Sequence, residues 1–354
     1  MSTGNTPDPE DYYEYYYNHL KSAGKSIKTI DYHRTTGKLF REFLSEQDVS
    51  DESEVTPRIA IQFKEFLDTP DRKDITIKSH MSRIGKMYEY YSVRGTFDAN
   101  AIYIGMDEIE WNIDTDTSRV EIPMADMKKA VQETKHYERR TLVTVFLKTG
   151  LRQGEVVNLD LRDINLDHEF SDRLLPVPRH EIREDPDTLY IDATINEGDV
   201  VNGRKRVSTN KRERSTKIPI DNELKSVLIQ WLMARPPTIC PADPLFVRIN
   251  GPHSGDRHSD DSIKFTLRRW AKNQGWYEKG AGERNNVTAQ FFRHFFTTHM
   301  RRRVDSEEIG GNEAKYFVKG IRGDIGDDVI DTYTQNWGNY VRNAYKNNIY
   351  KLYD

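Results

Sequence analysis

The sequence predicts a mainly α protein with a small antiparallel β-sheet, arranged as a helical unit followed by a larger α+β unit. Three observations predict it. Apolar residues recur at helical spacing through most of the 354 residues. The interval 186–220 breaks that pattern with short β-branched runs. Between the two units, 106–121 (M-D-E-I-E-W-N-I-D-T-D-T-S-R-V-E) is polar and without a period, which reads as a linker.

Residues 1–9 are polar and read as disordered. From Asp11 the run D-Y-Y-E-Y-Y-Y-N-H-L-K-S-A-G is helix-like and stops at Gly24. Ile30, His33, Leu39, Phe40, Phe43 and Leu44 mark the apolar face of a second helix. A third spans 57–68, with Pro57 in its first turn after Thr56. A fourth, 75–93, carries Ile77, Met81, Ile84, Tyr88 and Tyr91. The first unit is therefore all-α over 10–105. The second covers 122–354 and opens with helices at 123–135 and 137–149, the latter capped by Gly150. T-L-Y-I-D-A, R-V-S-T-N-K and S-T-K-I-P-I are expected to be short strands, and helices resume at 221–235, 260–275, 288–303 and 312–321.

Composition narrows the class. Lys and Arg number 53 against 57 Asp and Glu, a net charge of −4 that by itself argues against nucleic acid. The charge is uneven, however: 204–217 (R-K-R-V-S-T-N-K-R-E-R-S-T-K) is strongly basic, and a phosphate backbone senses a local patch rather than the net charge. A solvated face is the plain alternative for such a run. A single cysteine, Cys240, leaves no internal disulfide and no cysteine cluster for zinc. No apolar run is long enough to span a bilayer, and the acidic N-terminus lacks a signal-peptide layout, so a cytoplasmic protein without membrane contact is expected.

Four islands carry residues suited to chemistry. In T-G-L-R-Q-G-E-V-V-N-L-D-L-R-D-I (149–164), Arg152 sits on a tight turn between helices, with Glu155 placed to buttress it. Read alone, this is equally a helix–turn–helix with a solvent-facing arginine. V-S-T-N-K-R-E-R-S-T-K-I-P-I (207–220) reads as a basic hairpin able to reach a DNA groove, or simply as a soluble one. T-A-Q-F-F-R-H-F-F-T-T-H-M-R-R-R (288–303) places Gln290 and Arg293 on one helical face inside an aromatic stretch. An arginine there is costly unless it is paired or faces an anion-admitting cleft. His294 and His299 read as core or edge histidines without metal-ligand spacing. I-R-G-D-I-G-D-D-V-I-D-T-Y-T-Q-N-W (321–337) holds Tyr333, one of 19 tyrosines, which alone reads as a packed residue.

In this order the four islands resemble the tyrosine recombinase (phage integrase) family, over nearly the whole chain. T-G-L-R-x-G-E is the most specific match, and the tyrosine nine residues after Asp324 supports it. The resemblance implies a helical core-binding DNA-binding domain at 10–105 and an α+β tyrosine-recombinase catalytic domain at 122–354, closing as a C-shaped clamp on duplex DNA. It makes Arg152 and Arg293 the two catalytic arginines, Lys211 the hairpin lysine and general acid, and Tyr333 the nucleophile. It also implies DNA contacts from Arg204, Lys205, Arg206, Arg212 and Arg214. Two positions depart from the pattern: Gln290 stands where histidine is usual, and Asp324 where histidine or tryptophan is usual. For Asp324, orienting an arginine or capping a helix is favoured over acid–base work. The departures suit an archaeal viral or plasmid integrase.

The implied reaction is site-specific cutting and rejoining of DNA through a 3′-phosphotyrosyl intermediate. Bond energy stays in that intermediate, so no cofactor, metal or ATP is expected. Double-stranded DNA is the implied partner and a homotetramer on DNA the implied assembly. The tail 338–354 would dock on a neighbouring subunit or on its own domain. A type IB topoisomerase and a degenerate, non-cleaving DNA-binding protein are the alternatives.

Overall fold

Helix α1 (Asp11–Ser22) is the first described element, residues 1–9 lying outside the described residues, and its tyrosines explain its place. Tyr12, Tyr13, Tyr16 and Tyr17 fall on one face and are buried, while Tyr15 points to solvent. The computed structural model describes residues 11–113, 118–307, 311–324 and 337–353, and the chain divides into two units, Met1–Thr117 and Ser118–Asp354.

In the first unit α2 (Ile27–Glu46) is capped by Ser26, whose hydroxyl accepts the Thr29 N–H at 3.2 Å. Helix α3 (Pro57–Leu67) starts with proline after the Thr56 cap, as expected. Helices α4 (Asp74–Ser92) and α5 (Ala99–Asp107) complete the unit. Phe40, Phe43 and Phe63 form its centre, with ring centroids 4.8–6.2 Å apart. Burying each such ring contributes roughly 1.5–3 kcal/mol. The buried tyrosines keep their hydroxyls satisfied: Tyr91 donates to Tyr12 O at 2.7 Å and Tyr88 to Glu52 O at 2.8 Å. The segment expected as a linker starts inside this unit. Ile109 and Trp111 pack on its core, and Trp111 Nε1 donates to Met106 O at 3.0 Å.

The second unit is built around α7 (Tyr137–Thr149), buried on every side from Thr141 onward. Helices α6 (Met124–Gln132), α10 (Asn222–Ala234), α11 (Asp260–Asn273) and α12 (Ala289–Glu307) surround it, and Phe146 stacks on Phe292. The short α8 (Gln153–Asn158) follows α7 directly, and α9 (Ser171–Leu174) is a single turn. A three-stranded antiparallel sheet runs β1 (Ile164–Asn165), β2 (Thr188–Ile191) and β5 (Thr216–Pro219), with Leu189 opposite Ile218. Residues 206–211, expected as a strand, are not one. The hairpin lies just before them, as β3 (Val200–Val201) and β4 (Arg204–Lys205). Helices α13 (Gly311–Arg322) and α14 (Trp337–Asn348) complete the description. No described helix is long and apolar enough to cross a membrane.

The C-terminal segment packs on its own unit. Tyr345, Tyr350 and Leu352 are fully buried. The ammonium group of Lys148, itself inaccessible, donates to Asp221 (2.8 Å), Glu223 (2.6 Å) and the Tyr350 carbonyl (2.6 Å). Glu223 in turn accepts the Leu352 and Tyr353 N–H groups, at 2.9 and 3.0 Å.

Candidate active site

The site starts where α7 stops. Gly150 takes φ 62°, a left-handed conformation that ends the helix, and a Cβ there would run into the Phe296 ring. Its carbonyl accepts a 2.7 Å bond from Arg293 Nη1. The next turn sets Arg152 at the N-cap of α8, where Glu155 accepts the Arg152 N–H at 2.7 Å and its Nη1 at 3.3 Å. The expected buttress is present. Glu155 is buried and also accepts Arg212 Nε and Nη2, at 2.9 and 3.2 Å. Arg212 Nη1 reaches across to the Ile321 carbonyl at 3.1 Å, joining α8 to the end of α13.

That helix end supplies the remaining parts. Gly323 has φ 66°, and a Cβ on it would lie 2.6 Å from Arg212 Cγ. The turn puts Arg322 and Asp324 together. Asp324 Oδ1 accepts Arg152 Nη2 at 2.6 Å and Arg293 Nη2 at 2.8 Å; Oδ2 accepts Arg293 Nη2 at 3.0 Å and forms an ion pair with Arg322 Nη2 at 2.9 Å. Burial would raise the Asp324 pKa, yet Arg293, Arg322 and Arg152 together hold it below the usual carboxylate value. Burial pushes the Arg293 guanidinium down to about 10, with Arg322 adding to the fall and Asp324 opposing it. It stays charged at neutral pH. Arg152, Arg293 and Asp324, 172 residues apart at the extremes, therefore share one cluster. Asp324 is in contact with all three arginines.

Lys211 is exposed, with φ 24°, next to the buried Arg212. Its segment is tied to α8, since Asn158 Nδ2 donates to Ser208 O at 2.7 Å and to Asn210 Oδ1 at 2.8 Å. Gln290 is half-buried on α12 and contacts His294, Nε2 to Nε2, at 3.1 Å. Tyr333 lies outside the described residues. The basic run is split. Arg204 and Lys205 are exposed on β4, Arg204 pairing with Asp256 at 2.8 Å, and Arg214 is half-buried. Arg206 and Arg212, expected to face DNA, point inward: Arg206 is paired with Asp160 at 2.6 Å and Arg212 with Glu155. A buried arginine with a saturated partner cannot reach a phosphate, so these two hold the scaffold. Arg322 was not singled out from sequence. Its only signal is the R-G-D run, in which a glycine turn brings residues two apart to one side.

No family model and no curated protein matches the sequence. Solved structures do match. A lambda integrase dimer bound to a COC′ core site aligns with a TM-score of 0.60 at 14% identity, covering 90% of this chain and 96% of that one. The Tn1549 transposon integrase in complex with transposon right end DNA gives 0.59 at 14%, covering 88% and 90%. The chain has the integrase fold. A lambda integrase tetramer bound to a Holliday junction aligns over 93% of this chain with a TM-score of 0.59 at 14% identity. At such identity the likeness is one of fold, which covers both units, mainly helical with a small antiparallel sheet. Within the integrase fold, the motif departures at Gln290 and Asp324 fall on the α12 face and at the α13 end that also carry Arg293 and Arg322.

Proposed function

We propose that the chain is a site-specific DNA recombinase of the integrase type, cutting and rejoining duplex DNA through a 3′-phosphotyrosyl intermediate on Tyr333. The observation that carries this reading is the convergence of Arg152 and Arg293 on a single anionic group, Asp324. Guanidinium groups fit the two non-bridging oxygens of a phosphodiester and keep their charge at neutral pH. In the proposed step the Tyr333 oxygen attacks phosphorus and the bond from phosphorus to the 5′-oxygen breaks. Lys211, exposed and next in sequence to Arg212, protonates the leaving 5′-oxygen, a contribution typically about 10²–10⁴-fold. A 5′-hydroxyl of another strand then reverses the step and frees the tyrosine. A free tyrosine, with a pKa near 10, is ionised in only about one copy in a thousand at neutral pH, so nearby guanidinium groups favour attack. Gln290 serves as a hydrogen-bond donor rather than a proton carrier. Assembly on DNA is proposed to be a homotetramer, by analogy with the lambda integrase tetramer on a Holliday junction.

The test uses duplexes that the full chain enriches from a random-sequence pool, each nicked beside the bound centre. Wild type is expected to give an SDS-stable protein–DNA adduct and Tyr333→Phe none. No adduct from wild type would overturn the catalytic reading and leave a DNA-binding protein. An adduct from Tyr333→Phe would overturn the nucleophile. Relaxation of a plasmid lacking the enriched site would favour the topoisomerase.

A further inference from the structure

Arg322 takes no part in the motif that assigns Arg152 and Arg293, yet it stands beside them. Its Nη2 lies 2.9 Å from Asp324 Oδ2, and its carbonyl accepts Arg293 Nη2 at 3.2 Å. Three Nη2 groups thus converge on the two oxygens of one carboxylate. Arg212 is already committed to the buried Glu155, so these three are the donors around Asp324: Arg152 and Arg322 are partly exposed, and Arg293 reaches the carboxylate from the buried side. Taken with Arg212, four guanidinium groups meet two carboxylates, an excess of two positive charges. The cluster is reachable: the side chains of Arg152, Asp324 and Arg322 are 30%, 24% and 22% exposed. Arg322 also has a buried Nε without a hydrogen-bond partner among the described residues.

A phosphodiester, like a carboxylate, offers two anionic oxygens on one atom, and both suit planar guanidinium donors. We infer that Arg322 is a third phosphate-binding arginine of this site, and that the Asp324 carboxylate holds the place of the phosphate in the free chain. Arg322 then supplies the donor that an aspartate at 324 cannot. A carboxylate left against an arriving phosphate is repulsive, so Asp324 withdraws from the cluster when the anion enters. The inference rests on the recombinase reading only for the identity of the anion as a DNA phosphodiester.

The test uses inorganic phosphate and no DNA, so its failure and that of strand cleavage are separate results. Phosphate binding to the full chain is measured by calorimetry at low ionic strength for wild type, Asp324→Asn, and Asp324→Asn combined with Arg322→Met or Arg322→Lys. Thermal unfolding checks that each variant is folded. Asp324→Asn is expected to bind phosphate about 10–100-fold more tightly than wild type, the range of one charge-assisted contact. Adding Arg322→Met is expected to remove most of that gain, and Arg322→Lys, which keeps the charge but loses the fork, to remove part of it. Equal binding by Asp324→Asn and wild type would overturn the place-holding role of Asp324. Equal binding with and without Arg322, read from Arg322→Lys if Arg322→Met does not fold, would overturn the third-arginine assignment.

Discussion

Two carboxylates in the second unit are each gripped by arginines, and they differ in one respect. Asp160 accepts Arg206 through two bonds at 3.0 and 2.6 Å, takes a short contact from Arg257 Nη2, and accepts Asn202 Nδ2 at 3.2 Å. The side chains of Asp160, Arg206 and Arg257 are 0%, 0% and 3% exposed. Further guanidinium N–H groups end on the carbonyls of Asn158 and Val157. Asp324 has a similar set of arginines, but about a quarter of its side chain meets solvent. The first cluster is closed and can only hold elements together. The second is open, and an incoming anion can compete for it. Arginines around a carboxylate therefore do not mark a site; access to them does.

The largest effect expected from this contrast falls on stability. Asp160→Asn leaves two buried guanidinium groups without their counter-charge, which is expected to cost about 3–5 kcal/mol. Urea unfolding followed by tryptophan fluorescence reads it, and a loss below about 1 kcal/mol would break the contrast. Asp324→Asn is expected to cost less, about 1–2 kcal/mol, because Arg152 and Arg322 are partly exposed and can turn to water, and only Arg293 is left buried. The smallest effect is a pH dependence. The Asp324 pKa is depressed on folding, so its contribution is present above the ordinary carboxylate pKa of about 3.9 and is lost as pH falls through its folded value. The acid limb of the stability curve should therefore be shallower in Asp324→Asn than in wild type. Identical limbs would mean that the three arginines do not hold the carboxylate in solution.

Much of the framework was legible because its signals are local. Thr56 followed by Pro57 marks the start of α3, and Gly150 marks the end of α7, each through backbone chemistry that acts within a few residues. The pairing of Arg152 with Glu155 was legible for the same reason. The run 204–217 was misread because its partners are distant. Arg206, Ser208, Asn210 and Arg212 are all buried, while Val207 and Lys211 are exposed. Burial does alternate along this run, but the inward residues are polar and bond to Asp160, Asn158 and Glu155 rather than to a sheet neighbour. Composition reports a basic stretch and cannot tell which of its charges already have a carboxylate waiting. Arg322 escaped notice in the same way, since only the fold carries it to Arg293. The roles of Gln290 and Asp324 as departures were visible; what Asp324 holds was not.

In the proposed reaction DNA is attacked from Tyr333 at the arginine cluster. The most direct measurement is mass spectrometry of the covalent product formed by wild-type protein on a nicked, enriched duplex, after nuclease trimming and proteolysis. The expected result is a nucleotide remnant on the peptide containing Tyr333, at the tyrosine oxygen, and its loss in Arg293→Ala. A remnant on any other residue, or none from wild-type protein bound to its own site, would contradict it.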